Sequence, residues 1–486
     1  MPTFQLFRHP LRKNPKLSGT THNVFGIQVG VSISILIKKE NQQGIDIFYK
    51  NVNEFWRKEN KYHFLESSRV YSELDWEIIK PTKNYIWLGR ELKPEYDEYI
   101  ALASQRTKSS KLDFESLEDV VFDQYALGVS TNRDDWLYSY SHESLKTNVS
   151  LFCETYNTEI ARWRNARKPG EILKFVTNDS KRIKWSSLLI DKFKREKLVD
   201  FDETQIRVSQ WRPFSKKYLY FDYVLIDAPT LQRFFFPTLE SEVENRAIWL
   251  KIGSEISMYS LMIHCIPNLL TQGGSQCFPF YTYDKDGTNR RENITDWVLE
   301  QFQTHYEDST ITKWDIFYYT YAVLHHPHYR TRYAANLKRE LPRIPYAPAF
   351  RPFAIAGQRL AEIHVHYEDQ PEYPLKHLEN KDLPIDWRVE KMRLSKDKTQ
   401  LKYNDFLTLT GIPPEAFEYR LGNRSALDWV IDQYRIKTDK RSGITNDPNR
   451  LDDEEYIVRL IKKVITVSLE TVKIVNALPD LGLPTD

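Results

Sequence analysis

Arg207-Val208-Ser209-Gln210-Trp211-Arg212-Pro213-Phe214-Ser215-Lys216-Lys217-Tyr218-Leu219-Tyr220-Phe221-Asp222-Tyr223 lies near the middle of the chain and interleaves Arg and Lys with Trp, Phe and Tyr. Cations answer phosphates and flat rings stack on bases, so this is the residue mix a nucleic-acid surface needs. An aromatic-rich strand with a solvated basic face has the same composition. In a strand alternate residues face one way, so Arg212 need not share a face with every ring, and some of these aromatics belong to a core. The rest of the chain has to decide between the two readings.

With 486 residues there is room for roughly two to four domains and a sizeable core. Hydrophobic residues at 41% and charged residues at 28% describe a folded soluble chain and not a disordered one. The 69 Lys and Arg nearly cancel the 67 Asp and Glu, so any nucleic-acid surface must be a local patch. Only 16 glycines argue against Gly-rich phosphate loops. Three widely spaced cysteines, Cys153, Cys265 and Cys277, fit buried thiols in a reducing compartment better than a disulfide frame or a zinc site. The longest apolar run, Val29 to Ile37, is too short for a membrane span, and the basic N-terminus lacks an apolar core with a cleavage site. A cytoplasmic protein is expected.

Residues from Asn23 to Ile37 alternate from Ile27 onward and predict a strand, with Gly44–Tyr49 as its antiparallel partner. Helical spacing of Leu145, Val149, Phe152, Tyr156, Ile160 and Trp163 predicts a helix over Ser144–Arg164, and a second is expected over Lys181–Lys197. Between Lys181 and Lys217 stand 11 basic residues against 5 acidic ones, an excess that leads into the opening stretch. A strand is predicted over Met258–Ile266, and amphipathic helices over Ile294–His305, Ile311–His325, Tyr329–Leu341 and Ala354–Tyr367. Trp387–Leu409 reads as a β-hairpin, Pro414–Tyr434 as helix, and Asp453–Leu478 as a long final helix.

Several chemistries are missing from the sequence. There is no Gly-x-x-x-x-Gly-Lys-Ser/Thr loop, no Gly-x-Gly-x-x-Gly turn, no Gly-x-Ser-x-Gly elbow and no paired Cys/His metal pattern. His325, His326 and His328 cluster at a predicted helix end, where capping or a solvated turn explains them better than a metal. His364 and His366 fall on different helical faces and do not form a ligand pair, so no metal site is expected.

Asn23-Val24-Phe25-Gly26-Ile27-Gln28-Val29-Gly30-Val31 resembles the late strand of adenine-specific DNA methyltransferases in type ISP restriction-modification enzymes. Arg212-Pro213-Phe214 resembles the region after that methyltransferase. Gln276–Phe280, Asn289–Trp297, Tyr321–Pro327 and Tyr419–Leu427 resemble the C-terminal specificity domain of the same enzymes, in the same order. The resemblance implies a mixed α+β chain. Residues 1–105 would be terminal strands of a Rossmann-like methyltransferase sheet. Residues 106–486 would be a largely helical target-recognition domain with small antiparallel sheets.

The same resemblance implies sequence-specific recognition of double-stranded DNA. Adenine methylation and restriction would lie with methyltransferase, helicase and nuclease regions absent from this chain, for which a separate polypeptide is a candidate carrier. S-adenosylmethionine, ATP and Mg2+ are implied for the full family enzyme. This sequence lacks both the cofactor-binding glycine turn and the Asn-Pro-Pro-Tyr tetrad, so no catalytic residue is assigned. Phe25 corresponds to an aromatic ring near the flipped target base, and core packing explains it equally well. Candidate DNA contacts are Arg207, Gln210, Trp211, Arg212, Lys216, Lys217, Tyr218 and Tyr220. Asn289, Arg290 and Arg291 follow because Arg suits guanine edges and Asn adenine edges. Asn423, Arg424, Lys440 and Arg441 form a third set. Two alternatives stay open, an adenine methyltransferase active by itself and a non-catalytic protein-interaction module. Val29, Val31, Ile33 and Ile35 are expected to leave an exposed apolar face that favours aggregation or a complementing chain.

Overall fold

The computed structural model describes residues 119–485 except 254–255 and 271–273, and before them residues 24, 32, 34–37, 45–53, 56–68, 74–81, 87 and 92–104. The chain divides into two compact units, Met1–Leu92 and Lys93–Asp486.

In the first unit Ile47–Tyr49 pairs antiparallel with Glu77–Ile79, Ile47 opposite Ile79. The predicted strand before it falls largely outside the described residues, as do Phe25 and three of the four apolar residues expected on its face. Its described end, Ser34–Ile37, carries no strand, and Ile35 is 81% exposed. The described partner of Ile47–Tyr49 is therefore a later segment, and the Rossmann-like sheet is not among the described residues. The helix Lys58–Ser67 buries no side chain.

The second unit takes in the residues from Lys93 onward. Tyr96 is fully buried there, and Ile100–Ala101 pairs with Arg343–Ile344. These contacts tie 93–104 to the second unit, which begins at Lys93.

A four-stranded antiparallel sheet divides this unit, in the order Ala126–Leu127, Gln276–Pro279, Ala247–Lys251, Tyr259–Ile263. Every residue of the last two strands is buried. Their side chains alternate between two cores, as a pleat requires. Ala247, Trp249, Tyr259, Leu261 and Ile263 enter the first core, whereas Ile248, Leu250 and Met262 enter the second. Two buried faces explain why these strands read as continuous apolar runs.

The second core is helical and rich in rings. Asp296–His305, Lys313–His325 and Phe350–Val365 enclose it, close to their predicted spans. The last two helices approach so closely that a Cβ at Gly357 would lie 1.8 Å from the Tyr318 carbonyl oxygen. Only glycine permits that crossing. The first core holds the opening stretch, the helix His142–Asn165 and most of the final helix, Tyr456–Asn476.

The helix expected over Lys181–Lys197 is confined to Ser187–Lys194, and three further elements differ. Tyr329–Leu341 is two short helices, Pro327–Arg332 and Ala334–Leu337, separated at Tyr333, whose ring is buried. Trp387–Leu409 contributes three strands, Arg393–Leu394, Gln400–Lys402 and Leu407–Thr410, to a four-stranded sheet completed by Lys376–Glu379. Within Pro414–Tyr434 a tight turn at Gly422, with φ of +70°, makes the hairpin Arg420–Ser425. A short 3-10 helix, Pro414–Phe417, opens the segment, and α-helix begins only at Ala426, where Ser425 and Asp428 form a capping box.

Candidate nucleic-acid interface

The opening stretch folds into an antiparallel hairpin, Ile206–Arg212 against Ser215–Tyr220, with Ile206 opposite Tyr220 and Gln210 opposite Lys216. Pro213 and Phe214 make the turn. Proline presets the first turn position, and Phe214 takes φ of +54°, a conformation costly for a bulky residue. Burial holds it there: the Phe214 ring is fully enclosed, with centroids 5.2 Å from Tyr367 and 6.1 Å from Tyr419. A bulge between Gln210 and Arg212 breaks the strict alternation. Beside it the Arg212 guanidinium lies 3.9 Å from the centroid of Trp211.

The hairpin cations divide into two kinds. Arg207 is buried against the Glu242 carboxylate and donates to the carbonyls of Phe236 at 3.2 Å and Thr238 at 3.0 Å. Lys216 pairs with Glu368 at 2.7 Å, and Glu368 also accepts from the Tyr456 hydroxyl at 2.6 Å. Both join the hairpin to other elements. Gln210 is buried and donates to the Arg212 carbonyl at 2.7 Å. Tyr220 is a core ring stacked on Phe201, and Tyr218 meets His142 edge-on. Arg207, Gln210 and Tyr220 are thus occupied inside the fold, which removes them as surface contacts.

Arg212 and Lys217 differ because neither faces a carboxylate at ion-pair distance among the described residues. Arg212 donates to the Asn268 side-chain oxygen at 2.8 Å. Lys217, 9% exposed, donates to the Asn446 side-chain oxygen at 3.2 Å. Its ammonium lies 4.4 Å from the Trp211 centroid and 4.5 Å from that of Tyr140. Burial, with Arg212 alongside, pushes the Lys217 pKa down to about 7. Burial also lowers that of Arg212. Gln433 frames the same corner, accepting from Trp211 Nε1 at 3.1 Å through its side chain and from the Tyr140 hydroxyl at 3.1 Å through its backbone.

Asn446 belongs to the small hairpin Lys437–Asn446, so the opening stretch meets the third sequence set here. In its turn Asp439 accepts from the backbone N–H groups of Arg441 at 3.0 Å and Ser442 at 2.8 Å, which leaves Lys440 and Arg441 pointing outward and exposed. Lys184 and Lys437 are also exposed, and both act electrostatically on half-buried Asp135. Lys184, Lys437, Lys440 and Arg441 make no ion pair among the described residues. Arg212, Lys437, Asp134 and Asp135 act electrostatically on Lys217, and Lys184, Lys437 and Asp439 on Asp135, so free surface cations lie beside buried Lys217 and half-buried Arg212.

The remaining candidates do not join this face directly. Arg290 pairs with Glu244 at 2.8 Å and Arg291 with Asp284 at 2.9 Å. Asn289, with φ of +52°, donates to Asp284 at 2.7 Å. Arg424 pairs with Asp432 at 2.6 Å over the Trp429 ring, and the backbone carbonyl of Asn423 accepts from Arg420 at 2.5 Å. Among the described residues no three His, Cys, Asp or Glu side chains gather as a metal site. His325 and His364 have structural partners. His325 bonds the Tyr321 carbonyl at 2.8 Å, and His364 bridges the Tyr321 hydroxyl at 2.6 Å and Thr471 at 2.9 Å.

Residues 120–461 match the family described as the Type ISP C-terminal specificity domain. The chain belongs to that family. No match was found among the curated proteins. Among solved structures, this type ISP specificity domain is similar to a nuclease-deletion mutant of the Type ISP restriction-modification enzyme LlaGI in complex with a DNA substrate mimic. That likeness has 30% identity and a TM-score of 0.78 over 98% of this chain and 43% of that one. It is also similar to a cryo-electron microscopy structure of a DrdV–DNA complex, at 32% identity and a TM-score of 0.75 over 90% of this chain and 44% of that one. A third likeness is to the ATP-dependent Type ISP restriction-modification enzyme LlaBIII bound to DNA, at 27% identity and a TM-score of 0.78 over 96% of this chain and 30% of that one. This chain spans less than half the length of each of them.

Within the type ISP domain, the sequence pointed to the hairpin but not to its surroundings. Lys184 lay inside the basic run from Lys181 to Lys217. Lys437, Asn446, Gln433 and Tyr140 carried no local signal, because what places them is pairing across the fold. Among the described residues no helix is long and apolar enough to cross a membrane.

Proposed function

We propose that this chain recognises a specific site on double-stranded DNA as the specificity part of a type ISP restriction-modification system. Its family membership over residues 120–461 carries the reading. Three structural neighbours that were solved with DNA or a DNA mimic support it. Methylation, restriction and the use of S-adenosylmethionine, ATP and Mg2+ belong in this reading to regions beyond the chain, in the cytoplasm.

The exposed cations Lys184, Lys437, Lys440 and Arg441 would meet phosphates. Trp211, Arg212 and Lys217 would hold the hairpin tip in register and supply positive potential beneath. Phosphate contacts displace counterions, so the logarithm of the binding constant falls with the logarithm of salt by about 0.9 for each contact. A salt titration of binding to duplex fragments tests the reading. Steep weakening is expected, and Lys440→Ala with Arg441→Ala should lower the slope by about two. Salt-independent binding, or no binding of duplex DNA by the full chain, refutes the proposal.

A further inference from the structure

A second set of interleaved cations and rings lies outside the opening stretch. Three separate segments build it: the helix Ser187–Lys194, the connection Phe221–Phe236 and the loop after Tyr283. The Lys192 ammonium lies 5.9 Å from the Tyr223 centroid, and the Arg233 guanidinium lies 4.7 Å from Tyr223 and 5.0 Å from Phe234. The Lys285 ammonium lies 6.0 Å from Phe234. The sequence runs Lys, Tyr, Arg, Phe, Lys across the surface, cation and ring by turns. Tyr223 is 56% exposed.

The cations in this ladder are not equivalent. Lys192 is used by the fold: its ammonium donates to the carbonyls of Tyr223 at 2.7 Å, Val224 at 3.0 Å and Ile226 at 2.8 Å. Arg233 and Lys285 make no ion pair among the described residues. Arg233 Nε is buried and has no hydrogen-bond partner. A half-buried guanidinium held between two rings without a carboxylate has lost hydration and gained only cation–π attraction. The acids of the neighbouring loop are engaged locally. Asp284 accepts from Asn289 and pairs with Arg291, and Asp286 accepts from the Thr288 hydroxyl at 2.7 Å.

We propose that Arg233 and Lys285, presented by Tyr223 and Phe234, form a second DNA-contacting station that takes the phosphodiester backbone. It is separate from the hairpin tip and rests on the DNA-binding reading above. A phosphate oxygen would meet the part of the half-buried guanidinium that is not enclosed, Nε itself being buried, and the exposed Tyr223 ring would pack against the sugar edge or an unpaired base. Two stations on one unit would lengthen the tract of duplex that it holds.

The test is the salt dependence of duplex binding for the full chain, compared with Arg233→Ala, Lys285→Glu and the charge-keeping Arg233→Lys. Arg233→Ala is expected to lower the slope of log K against log salt by about one, and Lys285→Glu by at least as much. Arg233→Lys should keep the slope, which separates a phosphate contact from a packing role. Competition with inorganic phosphate at constant ionic strength distinguishes an isolated anion site: phosphate binding that is lost in Arg233→Ala but leaves DNA bound would overturn the backbone assignment. If wild type binds DNA and Lys285→Glu leaves slope and affinity unchanged, the station is refuted while the DNA-binding reading survives. If wild type fails to bind DNA at any salt, both fall together.

Discussion

Lys217→Met separates what the fold wants from what a DNA surface wants. The ammonium is 91% buried by residue, being 9% exposed, and its pKa stands at about 7 against an ordinary 10.5. That difference corresponds to a folding penalty of about 4–5 kcal/mol for the charged form. That figure is already net of the cation–π contact with Tyr140 and Trp211 and of the bond to Asn446. A neutral side chain of similar length removes the penalty, together with the packing and the Asn446 bond that a neutral lysine would keep. Net stabilisation of about 1–3 kcal/mol is expected near pH 6. For a cation with a depressed folded-state pKa, the penalty is complete below about pH 7. It is relieved as pH rises towards 10.5, so the advantage of the variant should shrink across that interval. DNA binding should move the other way. Loss of one positive charge beneath the surface costs on the order of 1 kcal/mol after screening, or roughly fivefold in Kd. Urea denaturation at pH 6 and pH 9, paired with fluorescence anisotropy on a labelled duplex, reads both effects. A variant that is less stable than wild type at pH 6, or that binds DNA equally well at pH 6, where Lys217 is charged, defeats the reasoning.

Three other expectations concern the fold. Arg207→Ala leaves Glu242 buried without its partner and should cost about 3–5 kcal/mol in urea, while the salt slope of DNA binding stays that of the wild type at temperatures where both are folded. Gly357→Ala puts a methyl group against the Tyr318 carbonyl. Despite a gain of about 1 kcal/mol in helix propensity, a net loss of at least 2 kcal/mol is expected by calorimetry. Burial pushes the pKa values of His325 and His264 down to about 4 from an ordinary 6.5, for His264 with Lys216 adding to it. Their stabilising contribution is complete above about pH 6.5 and lost as pH falls towards 4, so the urea midpoint should drop steeply over that interval and little between pH 7 and 8.

Much of the secondary structure was legible because it is written in local spacing. Leu145, Val149, Phe152, Tyr156, Ile160 and Trp163 are all buried on the helix that their spacing predicts. The mixed α+β class and the type ISP resemblance rested on such runs and on motif order, and the family match bears out the resemblance. The hairpin was harder to read, because composition alone does not say which cations are spoken for. Arg207 finds Glu242 and Lys216 finds Glu368 through folding, at separations of 35 and 152 residues. Lys217 meets Asn446 across 229 residues. No window of sequence contains those partners. The bulge that sets Arg212 over Trp211 also broke the alternation on which a reading of strand faces depends. The Gly422 turn hid a hairpin inside a helical pattern, because one left-handed glycine outweighs the periodicity on either side of it.

The last helix, Tyr456–Asn476, has a kinetic consequence. Ile457 through Val467 complete one core and Ile474 belongs to the other, so neither is closed until this helix has been made. The hairpin is made before its partners, with Lys216 still lacking Glu368 and Tyr456, and Lys217 lacking Asn446. During synthesis it is a loose basic-aromatic ribbon. Partners so distant in sequence make folding slow and late. A product stopped before Tyr456 would therefore lack the seal on both cores at once, and would be a substrate for chaperones and proteases more than a smaller working domain.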